Sequence, residues 1–179
     1  MATEILRPTG SPVEGWPTVI PEKSSHYAVL DEAVLDEADY IQADDDYGDE
    51  AGYTDTFTIP DCSVLQAGDT VQSIQVFVQT AVAGSSSKEL HIGIASGVVG
   101  VVDQIGIATG LYSADFAVDG ASNPWTLATI NDISGIIIRP LVSGKDSDND
   151  TWIIYQLYLQ INYTVASGIS PSVQVVIIG

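Results

Sequence analysis

The sequence predicts an all-β fold, a two-sheet antiparallel sandwich with extended ends, and three observations support it. Apolar and polar residues alternate with a period of two in several separate segments, the pattern of strands with one buried face. Clusters of Gly, Ser, Asn and Asp fall between those segments and mark turns. No stretch holds a helical period long enough for a substantial helix.

Residues 1–24 carry four of the eight prolines, Pro8, Pro12, Pro17 and Pro21, with Gly10 and Gly15 between them. Proline removes a ladder donor and favours turns or extended chain, so the segment reads as an extended arm with room for a short strand at 2–6. Trp16 and Ile20 need a surface to cover them, in their own domain or on a neighbouring subunit. Residues 28–32, Ala-Val-Leu-Asp-Glu, recur at once as residues 33–37. A repeat of five fits neither the strand nor the helix period, which predicts one copy at a strand end and the other as an insertion. From Asp31 to Asp61 there are twelve acidic residues and no basic one. That composition predicts an exposed loop region with short strands at 39–42 and 53–59.

Beyond Val71 the alternation is cleaner. Ile74, Val76, Val78 and Val82 alternate with Gln75, Phe77, Gln79 and Ala81, and after residues 83–87 Leu90, Ile92 and Ile94 alternate with Glu89, His91 and Gly93. These two runs predict a paired hairpin, with His91 facing solvent. Residues 97–110 are apolar and glycine-rich, a pattern that fits no single element. Tyr112, Ala114, Phe116 and Val118 give another strand, closed by Asp119-Gly120, and 127–133 predicts a helical turn before Gly135. Residues 136–142 form a strand whose Pro140 places it at an edge or a bulge. The strongest strand signal is 152–163, with Ile153, Tyr155, Leu157, Leu159, Ile161 and Tyr163 on one face and Gln156, Gln160 and Asn162 on the other. Residues 167–171 break the chain before Val173, Val175 and Ile177, a last apolar strand. The expected organisation is an N-terminal arm at 1–24, a sandwich at 25–166 with its acidic loop at 31–61, and a C-terminal strand or arm at 167–179.

Five Lys and Arg against 24 Asp and Glu give a formal net charge of −19. Such a field repels phosphate backbones and anionic lipid, so neither nucleic acid nor membrane is an expected partner. No signal-like apolar run follows Met1, and no stretch reaches the length of a membrane span. Cys62 is the single cysteine, without Cys or His neighbours at ligand spacing, and reads as a small apolar residue at a strand end.

Asp146, Asp148 and Asp150 place oxygen ligands at the alternate positions with which a calcium loop begins. The loop is not completed, because Thr151 stands where its glycine belongs and Leu157 where its glutamate belongs. The cluster of Asp44, Asp45, Asp46, Asp49 and Glu50 has no ligand geometry either. No metal and no cofactor is therefore expected. His26 and His91 lie in no catalytic or metal motif, and any carboxylate pair chosen from so acidic a chain is uninformative, so no enzyme is expected. Trp16, Trp125 and Trp152 read as filler between sheets before they read as platforms for sugars.

Met1 to Pro8, Asp39-Tyr40, Asn123-Pro124-Trp125-Thr126, the run from Ile130 to Ile136 and the closing run from Leu157 to Tyr163 together resemble small jelly-roll virion proteins of tailed bacteriophages. The resemblance covers most of the chain to Tyr163. It implies a jelly-roll sandwich displayed on the particle, as a capsid decoration (cement) protein or a tail-associated module, with no catalytic residues to carry over. The acidic insertion and residues 167–179 depart from the family's pattern. The leading expectation is a decoration protein on the outer capsid surface, made in the host cytoplasm and assembled as a homotrimer. Its expected partners are the major capsid protein or another virion protein, with Trp16, Ile20, Val173, Val175 and Ile177 as contacts. The rival is a tail or fibre module that binds host glycan.

Overall fold

A computed structural model of the chain describes residues 1–16, 18–20, 25–31, 33–44, 54–83, 89–96, 102–106, 110–119, 122–141 and 151–166. Its strands, in chain order, are β1 (Ala2–Leu6), β2 (Gly10–Val13), β3 (Thr18–Ile20), β4 (Tyr40–Asp44), β5 (Asp55–Thr58), β6 (Thr70–Ala83), β7 (Glu89–Ser96), β8 (Val102–Gly106), β9 (Gly110–Phe116), β10 (Ile133–Leu141) and β11 (Thr151–Thr164). Two short helices, α1 (Tyr27–Leu30) and α2 (Leu127–Asn131), interrupt them. One sheet runs β3-β4-β11-β6-β9 with β1 paired to Leu159–Tyr163 of β11, and the other runs β2-β5-β10-β7-β8. All the pairings are antiparallel.

Without the three N-terminal strands, the sheets read β4-β11-β6-β9 and β5-β10-β7-β8, the order of an eight-stranded jelly roll. In that topology the chain crosses repeatedly from one sheet to the other. The expected hairpin of β6 with β7 is therefore not formed. β6 pairs with β9 and β11, β7 pairs with β8 and β10, and the connection between them bridges the sheets.

The inward faces carry the alternation that the sequence predicts. Ile74, Val76 and Val78 on β6, Leu157, Leu159 and Ile161 on β11, and Ile92, Ile94, Ile136 and Ile138 on the opposite sheet are all buried. β11 departs from the expected single face. A register shift between Ile154 and Gln156 turns the pleat over, so Trp152 and Ile154 point inward while Ile153 and Tyr155 do not. His91 is buried rather than solvent-facing. β7 is an interior strand, and every residue from Leu90 to Ile94 is buried, so alternation cannot separate its faces. Pro140 pairs with Leu90 of β7, but β5 stops pairing with β10 at Ile138. The missing donor thus costs the β5 ladder nothing.

The N-terminal residues are not a detached arm. β1 pairs with β11 from Ala2 opposite Tyr163 to Leu6 opposite Leu159, β2 pairs with β5, and β3 pairs with β4. Prolines do not prevent this, because β2 and β3 add at the edges of the two sheets, where an unpaired backbone side is tolerated. α1 then packs against β4, β11 and β2, inserting Val29 and Leu30 between the two edges. α2 is the expected helical turn: the Thr126 hydroxyl accepts from the Thr129 amide and the Thr129 hydroxyl accepts from the Thr126 amide, a reciprocal cap.

Candidate functional site

Two arrangements stand out, one buried beneath the N-terminal segment and one on an outward face. The buried one centres on Asp55, which opens β5 on the same inward face as Phe57 and is fully buried. A carboxylate removed from water needs donors. Asp55 receives three: His26 Nδ1 lies 2.5 Å from Oδ2, and the amides of Gly15 and Trp16 donate to Oδ1 at 2.5 and 3.0 Å. Glu14 completes the clasp, accepting from the His26 amide at 2.8 Å and from the Ser11 hydroxyl. Burial alone would push the His26 imidazole down, but the hydrogen bond and charge of Asp55, with the charge of Glu14, hold its pKa above the ordinary 6.5. For Glu14 burial acts upward, and the Ser11 hydroxyl, the His26 amide and the imidazole charge outweigh it to hold the carboxyl below its ordinary value. The short strand expected at 53–59 within the acidic region forms as β5, and its first residue, Asp55, is a core anchor rather than an exposed acid.

Cys62 lies past the end of β5 and is also buried. Its thiol donates to Glu4 Oε2 at 2.6 Å, while Ser63 donates to Glu4 Oε1 from its amide and its hydroxyl. Burial and the adjacent carboxylate push the thiol up to about 11, so it is protonated at neutral pH and is a poor nucleophile.

The outward arrangement is the exposed side of the β1-β11-β6-β9 sheet, where strand register sets side chains in rows. In one row Phe77 and Tyr158 are cross-strand partners whose rings stack with centroids 4.9 Å apart at 12°, and the Arg7 guanidinium sits 5.3 Å from the Tyr158 centroid. The Tyr158 ring thus has both a stacking and a cation–π partner. The next rows are a lattice of amides. Gln160 donates to Gln75 and to Asn162, Asn162 donates to Ser73 and Gln75, Thr3 donates to Asn162, and Gln75 donates to Asp115. Ile5 and Leu111 stand exposed on the same side. Arg7 and Asp115 are the charged members of this set, so its formal charges cancel in a chain of net charge −19.

Of the residues expected to form contacts, Trp16 and Ile20 lie within the described part of the chain. Trp16 is 2% exposed and lies in the chain's own core, because the segment that carries it is hydrogen-bonded to Asp55. Ile20 is in β3, with its backbone opposite Tyr40 of the same chain. Val173, Val175 and Ile177 fall outside the described residues, as do Asp146, Asp148 and Asp150. Among the described residues no group of three or more His, Cys, Asp or Glu is arranged to hold a metal ion, and no helix is long and apolar enough to cross a membrane. Trp125 and Trp152 are buried like Trp16, with the Trp125 indole N–H donating to the Phe116 carbonyl at 2.8 Å. None of the three tryptophans offers a face to a sugar. The outward parity of Gln160 and Asn162 was legible in the sequence, but their partners on β1, β6 and β9 follow from register alone.

No family model matches the chain, and no curated protein matches it. The fold defines the class: a two-sheet antiparallel sandwich with jelly-roll strand order.

Proposed function

We propose that the chain is a structural protein of a bacteriophage virion, a capsid decoration protein that seats on the outside of the head and stabilises it. The observation that carries the reading is the outer face of the β1-β11-β6-β9 sheet. Large side chains there are fixed by one another, as in the Arg7-Tyr158-Phe77 row and the Gln75-Gln160-Asn162 lattice, so little rotamer freedom remains to be lost on docking. A set of side chains whose formal charges cancel, on so acidic a chain, is also where another subunit approaches with least repulsion. The resemblance to jelly-roll virion proteins supports the same reading. In this reading the remaining acidic surface faces away from the shell and from packaged DNA.

Purified particles carrying the protein test the proposal. A copy number that scales with the number of shell subunits, together with heads that rupture more readily when Tyr158→Ala and Arg7→Ala reduce occupancy, is the expected outcome. A copy number fixed by the symmetry of the tail would place the chain in a tail or fibre and overturn the decoration reading. Sedimentation of the isolated chain would then report whether copies associate as trimers before they dock.

A further inference from the structure

We infer that the duplicated pentapeptide gives this fold two possible registers five residues apart, and that the contact between His26 and Asp55 selects the one observed. The two copies are identical, Ala28 to Glu32 and Ala33 to Glu37, yet their environments are opposite. Val29 and Leu30 are 0% exposed, whereas Val34 is 79% and Leu35 40% exposed. Apolar burial does not discriminate between identical side chains, so the choice rests on what precedes each copy.

His26-Tyr27 precedes the first copy and Asp31-Glu32 precedes the second. Sliding the chain by five residues places Ala33, Val34 and Leu35 in the seats of Ala28, Val29 and Leu30. The same shift sets Asp31 in the seat of His26, where the nearest group is a fully buried carboxylate oxygen, 2.5 Å from the imidazole. Two carboxylates at that separation cannot both ionise. It also places Glu32 where Tyr27 packs against the core. The observed register thus keeps an ion pair and an aromatic contact that the shifted register replaces with repulsion and a buried acid.

Chain length permits the shift. Residues 31–39 join Leu30 to Tyr40 in the observed register, and residues 36–39 would do so in the other. Five Cα steps reach up to about 18 Å, and α1 packs directly on β4. The five residues that leave this connection pass to the N-terminal side of α1, so the register sets how much chain lies between β3 and the core. This inference rests on no functional reading.

The test is to remove the difference in what precedes the two copies. In the full-length chain, Asp31→His with Glu32→Tyr gives both copies the same preceding pair. The amides at positions 29 and 31, which in the unaltered chain donate to the His26 and Tyr27 carbonyls, are then compared by hydrogen exchange with those of Val34 and Asp36. With equal populations each set is open half the time, so protection at positions 29 and 31 drops to a factor of about two and Val34 and Asp36 gain the same. Protection at Val29 that stays at its original level, with Val34 still unprotected, overturns the inference. In a Leu30→Ala background the same two substitutions are expected to restore most of the lost stability by seating Leu35 instead. Absence of rescue overturns it equally.

Discussion

Gly135 on β10 lies so close to Phe57 on β5 that a Cβ added to it would stand 2.5 Å from the Phe57 carbonyl oxygen and 3.2 Å from its carbonyl carbon. Both atoms are backbone, held by the pairing of Ile136 with Phe57, and cannot rotate away as a side chain does. Gly135→Ala is therefore expected to destabilise the protein by about 1–3 kcal/mol, the usual cost of overpacking, with the urea midpoint as the measurement. An unchanged midpoint would show that the two strands separate more freely than this contact implies.

Period-two patterning made the cores of β6 and β11 readable in advance: Ile74, Val76, Val78, Leu157, Leu159 and Ile161 all lie where alternation puts them. Alternation says nothing about partners, so β6 and β7 looked like a hairpin although the jelly roll places them in different sheets. It also fails at irregularities. Tyr155 and Ile153 were set on the inner face because the bulge after Ile154 has no signature in an uninterrupted apolar run. The duplicated pentapeptide was recognised as two unlike environments, but the buried copy is a helical turn rather than a strand end. The clasp at Asp55 was invisible because its three donors come from residues far away in sequence, brought together only when β2 adds beside β5.

Cys62 is expected to resist alkylation at neutral pH. Its thiol, pushed up to about 11, is almost wholly protonated there, and only the thiolate reacts. Burial is the larger cause and Glu4 the second, so Glu4→Gln should speed native-state labelling, though not to the rate of the unfolded chain. Fast labelling of the unaltered protein would contradict the buried thiol–carboxylate contact.

The clasp makes stability depend on pH in a defined window. The His26 pKa is raised on folding, so its contribution is fully present below the ordinary 6.5 and is lost as pH rises through the higher folded value. The Glu14 pKa is lowered, so its contribution is present above the ordinary 4.5 and is lost as pH falls through the folded value. The clasp is thus strongest between 4.5 and 6.5. Denaturation midpoints of the unaltered protein and His26→Gln should differ most in that window, and the gap should narrow on the alkaline side. A gap that stays constant with rising pH would mean that His26 acts through packing alone.

The N-terminal segment supplies the last expectation. β1 pairs with Leu159–Tyr163 of β11, β2 and β3 extend the edges of β5 and β4, and Leu6 and Trp16 of the same segment are buried in the core. Removing residues 1–20 would strip ladder partners from both sheets and take those two side chains out of the core. It would also leave the buried Asp55 without the Gly15 and Trp16 amides. An unpaired edge of that length promotes association between chains, so the truncated protein should aggregate or unfold rather than persist as a smaller sandwich. Trp16→Ala isolates the packing part of the effect and is expected to cost about 3–5 kcal/mol, read from the urea midpoint. Were the truncated chain to keep its β-sheet circular dichroism and its midpoint, residues 1–20 would be a dispensable arm after all, and the pairing of β1 with β11 would contribute nothing to the stability of the fold.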